Sequence, residues 1–526
     1  PPYVDPWEPN VDPALVASVN RLGMEVASEL TREGRTGIVV NAIYDAWSPA
    51  RAYSHYHGGA RILSESANAQ LATPIQMPDG PRPGGRGYDA SVSTWNHPVP
   101  WAGGRWGLPE IVDQMEASSI ALLSSVARDR RTWLETSTAI AERAVAGWSE
   151  WPEAWVVPAT SENLANRAGL TYLLRALTLG DVEVRRTASP TTIDGERLPP
   201  GSWVVSMRQP FAGFAQTLLQ RQRYPDLREY PGGPPRRPYD VTAHTLPLLT
   251  GVTVRAVEQF PDVPLGAVIT APEIDFPDAT AIYGDDVPRI GYYKSRAEPM
   301  EGGWTRWLFD SMGLPHDTLT DADIRAGDLG DRIDVLLLQD QSAASIVEGL
   351  DADALPATWT GGLGEAGVTA IRAFVRRGGR LVAIEEASEF AADLFDLQVG
   401  NAVERLPAED FYIPGSILGL DFEPTRFADG LPARDVAWFW GSSRAFDVTD
   451  PSVRVLARYA DEGLVESGWA LGQREIAGRP ALVEARVGRG SVVLFGYQPN
   501  YRAQSVTGWA HLLRALDPDA SSLPPV

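Results

Sequence analysis

Between residues 37 and 73 the chain gathers side chains that can move protons, hold anions or ligate metals: Tyr44, Arg51, Tyr53, His55, His57 and Glu65. Two of the six histidines in 526 residues fall here, beside Gly58 and Gly59, whose missing Cβ lets backbone approach closely. On an extended segment the i, i+2 spacing of His55 and His57 puts both imidazoles on one face, as a metal pair requires. The same rings can instead hydrogen-bond around a cleft with Arg51, Tyr53 and Tyr56. That second reading is favoured, so no metal ligand is expected among them.

The elements around this stretch follow from apolar spacing. Residues 38–40 and 60–63 are short apolar runs that read as strands, which makes Glu65 a strand-end carboxylate. Upstream, residues 1–10 read as an extended, proline-punctuated loop lying on a partner surface. Asp12-Pro13 then caps a helix that ends at Gly34. Residues 76–107 are rich in Gly, Pro, Arg and Trp and read as a long loop, with Arg86, Tyr88, Trp95, His97 and Trp101 as candidate cleft wall. A long helix over 108–146, broken once, leads on. Strand, helix and strand then recur from residue 154, and again from residue 289, where short apolar strands alternate with helices. His244, at the start of an apolar helix, reads as structural.

Ile43-Tyr44-Asp45 is followed, 21 positions after Tyr44, by Glu65 at the end of Ile62-Leu63-Ser64-Glu65. This arrangement resembles the C-terminal part of the catalytic domain of zinc carboxypeptidases of the carboxypeptidase A type. The resemblance implies that Glu65 is the general base on zinc-bound water and that Tyr44 closes over substrate. Arg51, Tyr53, His55 and His57 would then line the substrate cleft. The segments RQRYPDLR (221–228) and YDVTAHTLPLL (239–249), with the C-terminal half, resemble large bacterial members carrying a glutamine-amidotransferase-like domain behind the peptidase. The expected fold class is therefore α/β in three parts. Residues 1–146 would be the C-terminal part of a carboxypeptidase-like domain with its connecting helix. Residues 147–285 would be a small α/β module, and residues 286–526 a flavodoxin-like, doubly wound domain of the class I glutamine amidotransferase type.

Two departures shape the functional expectation. The family binds zinc through a His-x-x-Glu pair and a distant third His upstream, whereas here no histidine precedes His55 and no His-x-x-Glu occurs. The chain also opens at Pro1-Pro2-Tyr3 without Met, so it reads as the C-terminal piece of a longer or split enzyme. Zinc is expected only where a second polypeptide or a missing N-terminal half supplies the ligands. The function expected is then hydrolysis of a peptide or related amide; the alternative is a non-catalytic binding or structural protein derived from such a peptidase. In the last domain the strand 381–384 runs into Glu385-Glu386-Ala387-Ser388-Glu389 with no thiol, so amidotransferase chemistry is not available. Ser388 lacks the Gly-x-Ser-x-Gly elbow of a serine hydrolase.

Composition narrows the classes further. A net charge of −22, from 68 acidic and 46 basic residues, argues against nucleic acid and anionic membranes as partners. The absence of cysteine removes disulfides, thiolate metal sites and thiol nucleophiles together. No apolar run approaches the length that spans a bilayer. The related large peptidases are commonly exported, so an extracellular or periplasmic location is expected.

Overall fold

The computed structural model describes residues 1–69, 72–78, 80, 88–193, 195–350, 355–356 and 359–520, the side chains of 49 and 50 excepted. Arg86 lies outside the described residues. The architecture is mixed α/β, and its largest element is a ten-stranded sheet. Five parallel strands lie in the order His316–Leu319, Ile290–Tyr293, Val335–Leu338, Arg380–Ile384, Gly490–Phe495. In chain sequence this is 2-1-3-4-5, a doubly wound order whose ligands bind outside the carboxyl ends of the strands. Val335-Leu336-Leu337-Leu338 and Leu381-Val382-Ala383-Ile384 are buried throughout, as strands covered on both faces must be.

The sheet does not stop where the parallel strands do. Pro480–Val487, Arg454–Tyr459, Ser416–Phe422 and Arg434–Phe439 continue it as an antiparallel half, with Val465–Ser467 pairing beside Ser416–Phe422. The alternation of strands and helices predicts an open parallel sheet only. The tight turn at Gly488-Arg489, between Pro480–Val487 and Gly490–Phe495, leaves no room for a crossover helix, so the strands it joins must pair antiparallel.

The middle region builds a four-stranded antiparallel sheet in the order Val184–Arg186, Trp203–Ser206, Ala154–Val157, Arg255–Val257. Between Ala154–Val157 and Val184–Arg186 the chain forms two helices, Ser161–Ala165 and Arg167–Leu179, separated at Asn166, whose side chain accepts from the Gly169 N–H. N-terminal to this, Asp12 caps the helix Pro13–Arg32 and also takes a two-pronged contact from Arg143 at 2.9 and 2.8 Å. That contact ties the first helix to Arg130–Ala146, which follows Leu108–Arg128 after a single break at Asp129.

The strands expected at 38–40 and 60–63 do not form. Gly37 and Val40 donate instead to the carbonyls of Val99 and Asn96 in the following loop, and the Leu63 N–H goes to the Tyr3 hydroxyl. Among the described residues of the first region the only regular pairing is the small ribbon Ile75–Met77 with Gly104–Trp106. Residues 4–8 run alongside 44–46 of the same chain, so the N-terminal stretch lies on its own fold. Apolar runs without a neighbouring strand stay extended but unladdered. One core holds Tyr3, Leu15 and Tyr56 together with Leu173, Phe214 and Leu246, so the first and middle regions bury their apolar surface jointly.

Within that core Glu8 is 2% exposed and accepts from the backbone and side-chain nitrogens of Asn10, at 2.9 and 2.8 Å. Burial pushes its carboxyl from 4.5 up to about 7. A group raised in the folded state contributes stability that is fully present below pH 4.5 and is lost as pH rises through 7. A shift of this size is worth about 3 kcal/mol. Urea unfolding at about pH 4.5 and about pH 8 is expected to show stability falling across the window, by about that much less in Glu8→Gln. An identical fall in both proteins would rule out Glu8 as the source.

Candidate active site

The structure brings the two candidate catalytic residues, Tyr44 and Glu65, together. The Tyr44 hydroxyl donates directly to the Glu65 carboxylate. Burial, and then this contact with an acceptor, push the Tyr44 phenol above its usual range, so it stays a donor. Glu65 itself is exposed and Tyr44 half-buried, which leaves the pair open to solvent. Arg51 sits beside them, with its guanidinium carbon 6.0 Å from the Tyr44 ring centre and 4.3 Å from that of Tyr239. Its Nε donates to Asp240 at 2.7 Å, so the terminal nitrogens are not consumed by that ion pair.

Two residues missed by sequence reasoning, Tyr239 and Asp240, hold this arrangement. Tyr239 meets the Tyr44 ring edge-on at 4.7 Å. Its backbone N–H donates to Asp45 at 3.2 Å, and Asp45 also accepts from the Tyr224 hydroxyl at 3.1 Å. Trp47 donates from its indole to the Thr242 carbonyl at 3.0 Å. The segments 221–228 and 239–249 thus form the floor under the 44–51 excursion. Nothing in their local sequence pattern marks them as that floor.

Tyr53, His55 and His57 fall elsewhere. They lie in the 3₁₀ turn Tyr53–His57, not on an extended strand, so the i, i+2 argument for a shared face fails. His57 places Nδ1 3.0 Å from the carbonyl of Tyr53 in its own turn and Nε2 2.9 Å from that of Gly180, and the second contact docks the turn on the middle region. Tyr53 packs against His57 and Phe214. His55 is buried, with Nε2 3.2 Å from the Arg61 carbonyl, its ring stacked on Trp7 and Nδ1 without a partner. Among the described residues no three His, Cys, Asp or Glu side chains are placed to hold a metal ion. One imidazole nitrogen does not make a zinc site, so the donors here do not fit the metal that the resemblance implies. Of the proposed cleft wall, His97 turns inward to the Ile38 carbonyl at 3.1 Å while Trp95 remains exposed.

A second polar cluster covers the carboxyl ends of the parallel strands. Glu385 follows Arg380–Ile384 with φ 54° and ψ −116°, a conformation unfavourable for a residue with a Cβ. It is fully buried and accepts from Ser443 Oγ at 2.6 Å and Gln498 Nε2 at 3.2 Å. Burial, reinforced by Asp340, pushes its carboxyl well above the usual range. Asp340 is pushed up to about 6, again chiefly by burial. Arg444 spans Glu389 at 2.9 Å and Glu386 at 3.2 Å. Ser388 donates to the carbonyls of Ala383 and Phe495, both at 3.0 Å, and His511 sits buried between Tyr497 and Asp435. Neither is free to build a serine hydrolase site.

No family model matches the chain, and no curated protein matches it. Among solved structures, 145 chains match. The chain is similar to a protein described as ThuA-like from Bacteroides uniformis, at 12% identity over 47% of this chain and 93% of that one, with a TM-score of 0.28. It is similar to PurLQS from Thermotoga maritima at 14% identity, 44% and 97% coverage and a TM-score of 0.30. A β-galactosidase from Bacillus circulans sp. alkalophilus matches at 13% identity, 43% and 30% coverage and a TM-score of 0.26. At these scores the likenesses carry no argument about function. No helix among the described residues is long and apolar enough to cross a membrane.

Proposed function

We propose that this chain contributes the proton-transfer and substrate-holding side of an amide or peptide hydrolase related to zinc carboxypeptidases. On this reading the metal ligands come from outside the chain, from another polypeptide or segment. The observation that carries it is the convergence of Tyr44, Glu65 and Arg51 on one accessible surface from positions up to 21 residues apart. A solvent-reachable carboxylate can take the proton of an attacking water. The phenol beside it keeps its proton and can donate to a substrate oxygen once Glu65 turns to the water. The Arg51 guanidinium, anchored through Nε, can present its terminal N–H groups to the free carboxylate of a peptide end.

On the same reading the last domain is glutamine-amidotransferase-like without its nucleophile, Glu385 standing on the positive-φ turn after the strand. The site would act outside the cytoplasm, as in the exported relatives that the sequence resembles.

Intact mass and metal content of the native assembly test the partner requirement. A second polypeptide with about one zinc per assembly, and release of C-terminal residues from peptides, is the expected result. On that assembly Arg51→Ala is expected to raise KM about tenfold or more, with kcat much less affected, as loss of a charged hydrogen bond in substrate binding requires. An active assembly whose KM ignores Arg51 would remove that residue from the site. The second reading, a binding protein without hydrolysis, is favoured by the mismatch between the donors described here and a zinc site. A zinc-free, inactive 57.1 kDa species would establish it.

A further inference from the structure

Under the helix Met300–Ser311, three buried oxygens have no hydrogen-bond partner: Glu301 Oε1, Gln339 Oε1 and Asn500 Oδ1. Their residues are 2%, 1% and 0% exposed. Two of these residues share a neighbour through their amide nitrogens. Gln339 Nε2 donates to Thr305 Oγ1 at 2.9 Å and Asn500 Nδ2 donates to the same oxygen at 3.3 Å. Glu301 lies one helical turn before Thr305, so its side chain projects from the same helix face. Gln339 follows the strand Val335–Leu338 and Asn500 follows Gly490–Phe495, which places both in the crevice where doubly wound sheets bind ligands. The hydroxyl of Tyr501, next in the chain to Asn500, is likewise buried without a partner.

Buried polar atoms are rarely left unpaired, and each one costs about 1–3 kcal/mol. Backbone strain marks the same place: Glu385, Arg502 and Ala503 have φ of 54°, 48° and 54°. Strained residues persist where surrounding structure holds them, and they cluster at ligand sites.

We propose that Glu301, Gln339 and Asn500 form a binding site for a small ligand bearing a primary ammonium group. An ammonium offers three N–H donors to three orphaned acceptors. A water molecule offers two and leaves one oxygen unpaired. A metal ion is the poorer match, because no three ionisable ligands are grouped among the described residues. Carboxyl groups of both kinds, raised by burial and partly offset by arginines, surround the crevice. Glu301 and Asp340 act together on Glu385, and Glu386 adds a further carboxylate beside Asp340. Arg444 pairs with Glu386 and Glu389, and Arg502, over the Tyr501 ring at 5.1 Å, also acts on Glu301, so a bound ammonium would share that carboxyl with it.

The test uses the full chain and methylammonium chloride, with tetramethylammonium chloride, which has no N–H, and sodium chloride at equal ionic strength. Calorimetry is expected to show saturable methylammonium binding and none for the two controls. Glu301→Gln keeps the side-chain volume and is expected to weaken binding about tenfold or more, since it removes the charged acceptor. Gln339→Met serves the same purpose should Glu301→Gln fail to fold. Glu65→Gln is expected to bind methylammonium normally, which separates this site from the hydrolytic one. Absence of saturable binding, equal binding of tetramethylammonium, or unchanged affinity in a folded variant would each overturn the proposal.

Discussion

Replacing Arg380 with Met is expected to cost roughly 3–5 kcal/mol of folding stability, the range for breaking a buried ion pair by removing one partner. Arg380 and Glu484 are 2% and 0% exposed, and Arg380 Nη1 lies 2.8 Å from Glu484 Oε1. The same nitrogen donates to Ser491 at 2.8 Å, and Nε donates to the Ala515 carbonyl at 2.6 Å, near the end of the helix Val506–Leu516. One side chain therefore joins its own strand, the strands of Glu484 and Ser491, and a helix C-terminus. Truncating it takes the Arg380 contact away from a buried carboxylate and frees a helix-end carbonyl. Replacing both partners, as Arg380→Met with Glu484→Leu, is expected to recover much of the loss, because two well-packed apolar groups need no desolvation. Urea unfolding of the single and double variants gives the answer. A single variant within about 1 kcal/mol of the parent would mean that Arg380 contributes little to holding Glu484 in the interior.

Glu65→Gln is the variant with the largest expected effect on turnover: a kcat loss of about 10²–10⁴, the contribution of a positioned general base. The amide keeps an oxygen for the Tyr44 hydroxyl but cannot take a proton. Because Glu65 is exposed, the substitution is expected to leave folding intact. Binding of a peptide end should persist, since Arg51 is untouched, so KM is expected to change far less than kcat. Full activity in this variant would assign the proton transfer to another group and sink the hydrolase reading of this surface. A loss confined to KM would make Glu65 a binding residue.

Much of the C-terminal sheet was legible because its strands are short, apolar and separated by amphipathic helices. Gly364–Arg376 and Arg380–Ile384 lie where the periodicity places them. Residues 38–40 and 60–63 have the same apolar character and form no strand, since pairing depends on a neighbour that a local pattern does not reveal. Tyr44 and Glu65 could be singled out by type and spacing. Asp240, which anchors Arg51 from 189 positions away, could not. The same holds for the crevice over the parallel strands: Glu385 was visible as a carboxylate at a strand end, but that Gln339 and Asn500 share Thr305 follows only from topology.

The seam beneath the candidate site has a consequence for dividing the molecule. Thr242 bonds to Gly415 and Ser416, Gln222 to Ser467 and Gly468, and Thr245 to Ser467, all as buried contacts. Trp47 and Arg51 hang from the same strip through Thr242 and Asp240. A shortened chain ending before the large sheet would therefore expose a row of unpaired hydroxyls and amides. It would also loosen the anchorage of the very residues such a truncation is meant to isolate. The large sheet is a foundation for the 44–65 excursion and cannot be trimmed as an appendage.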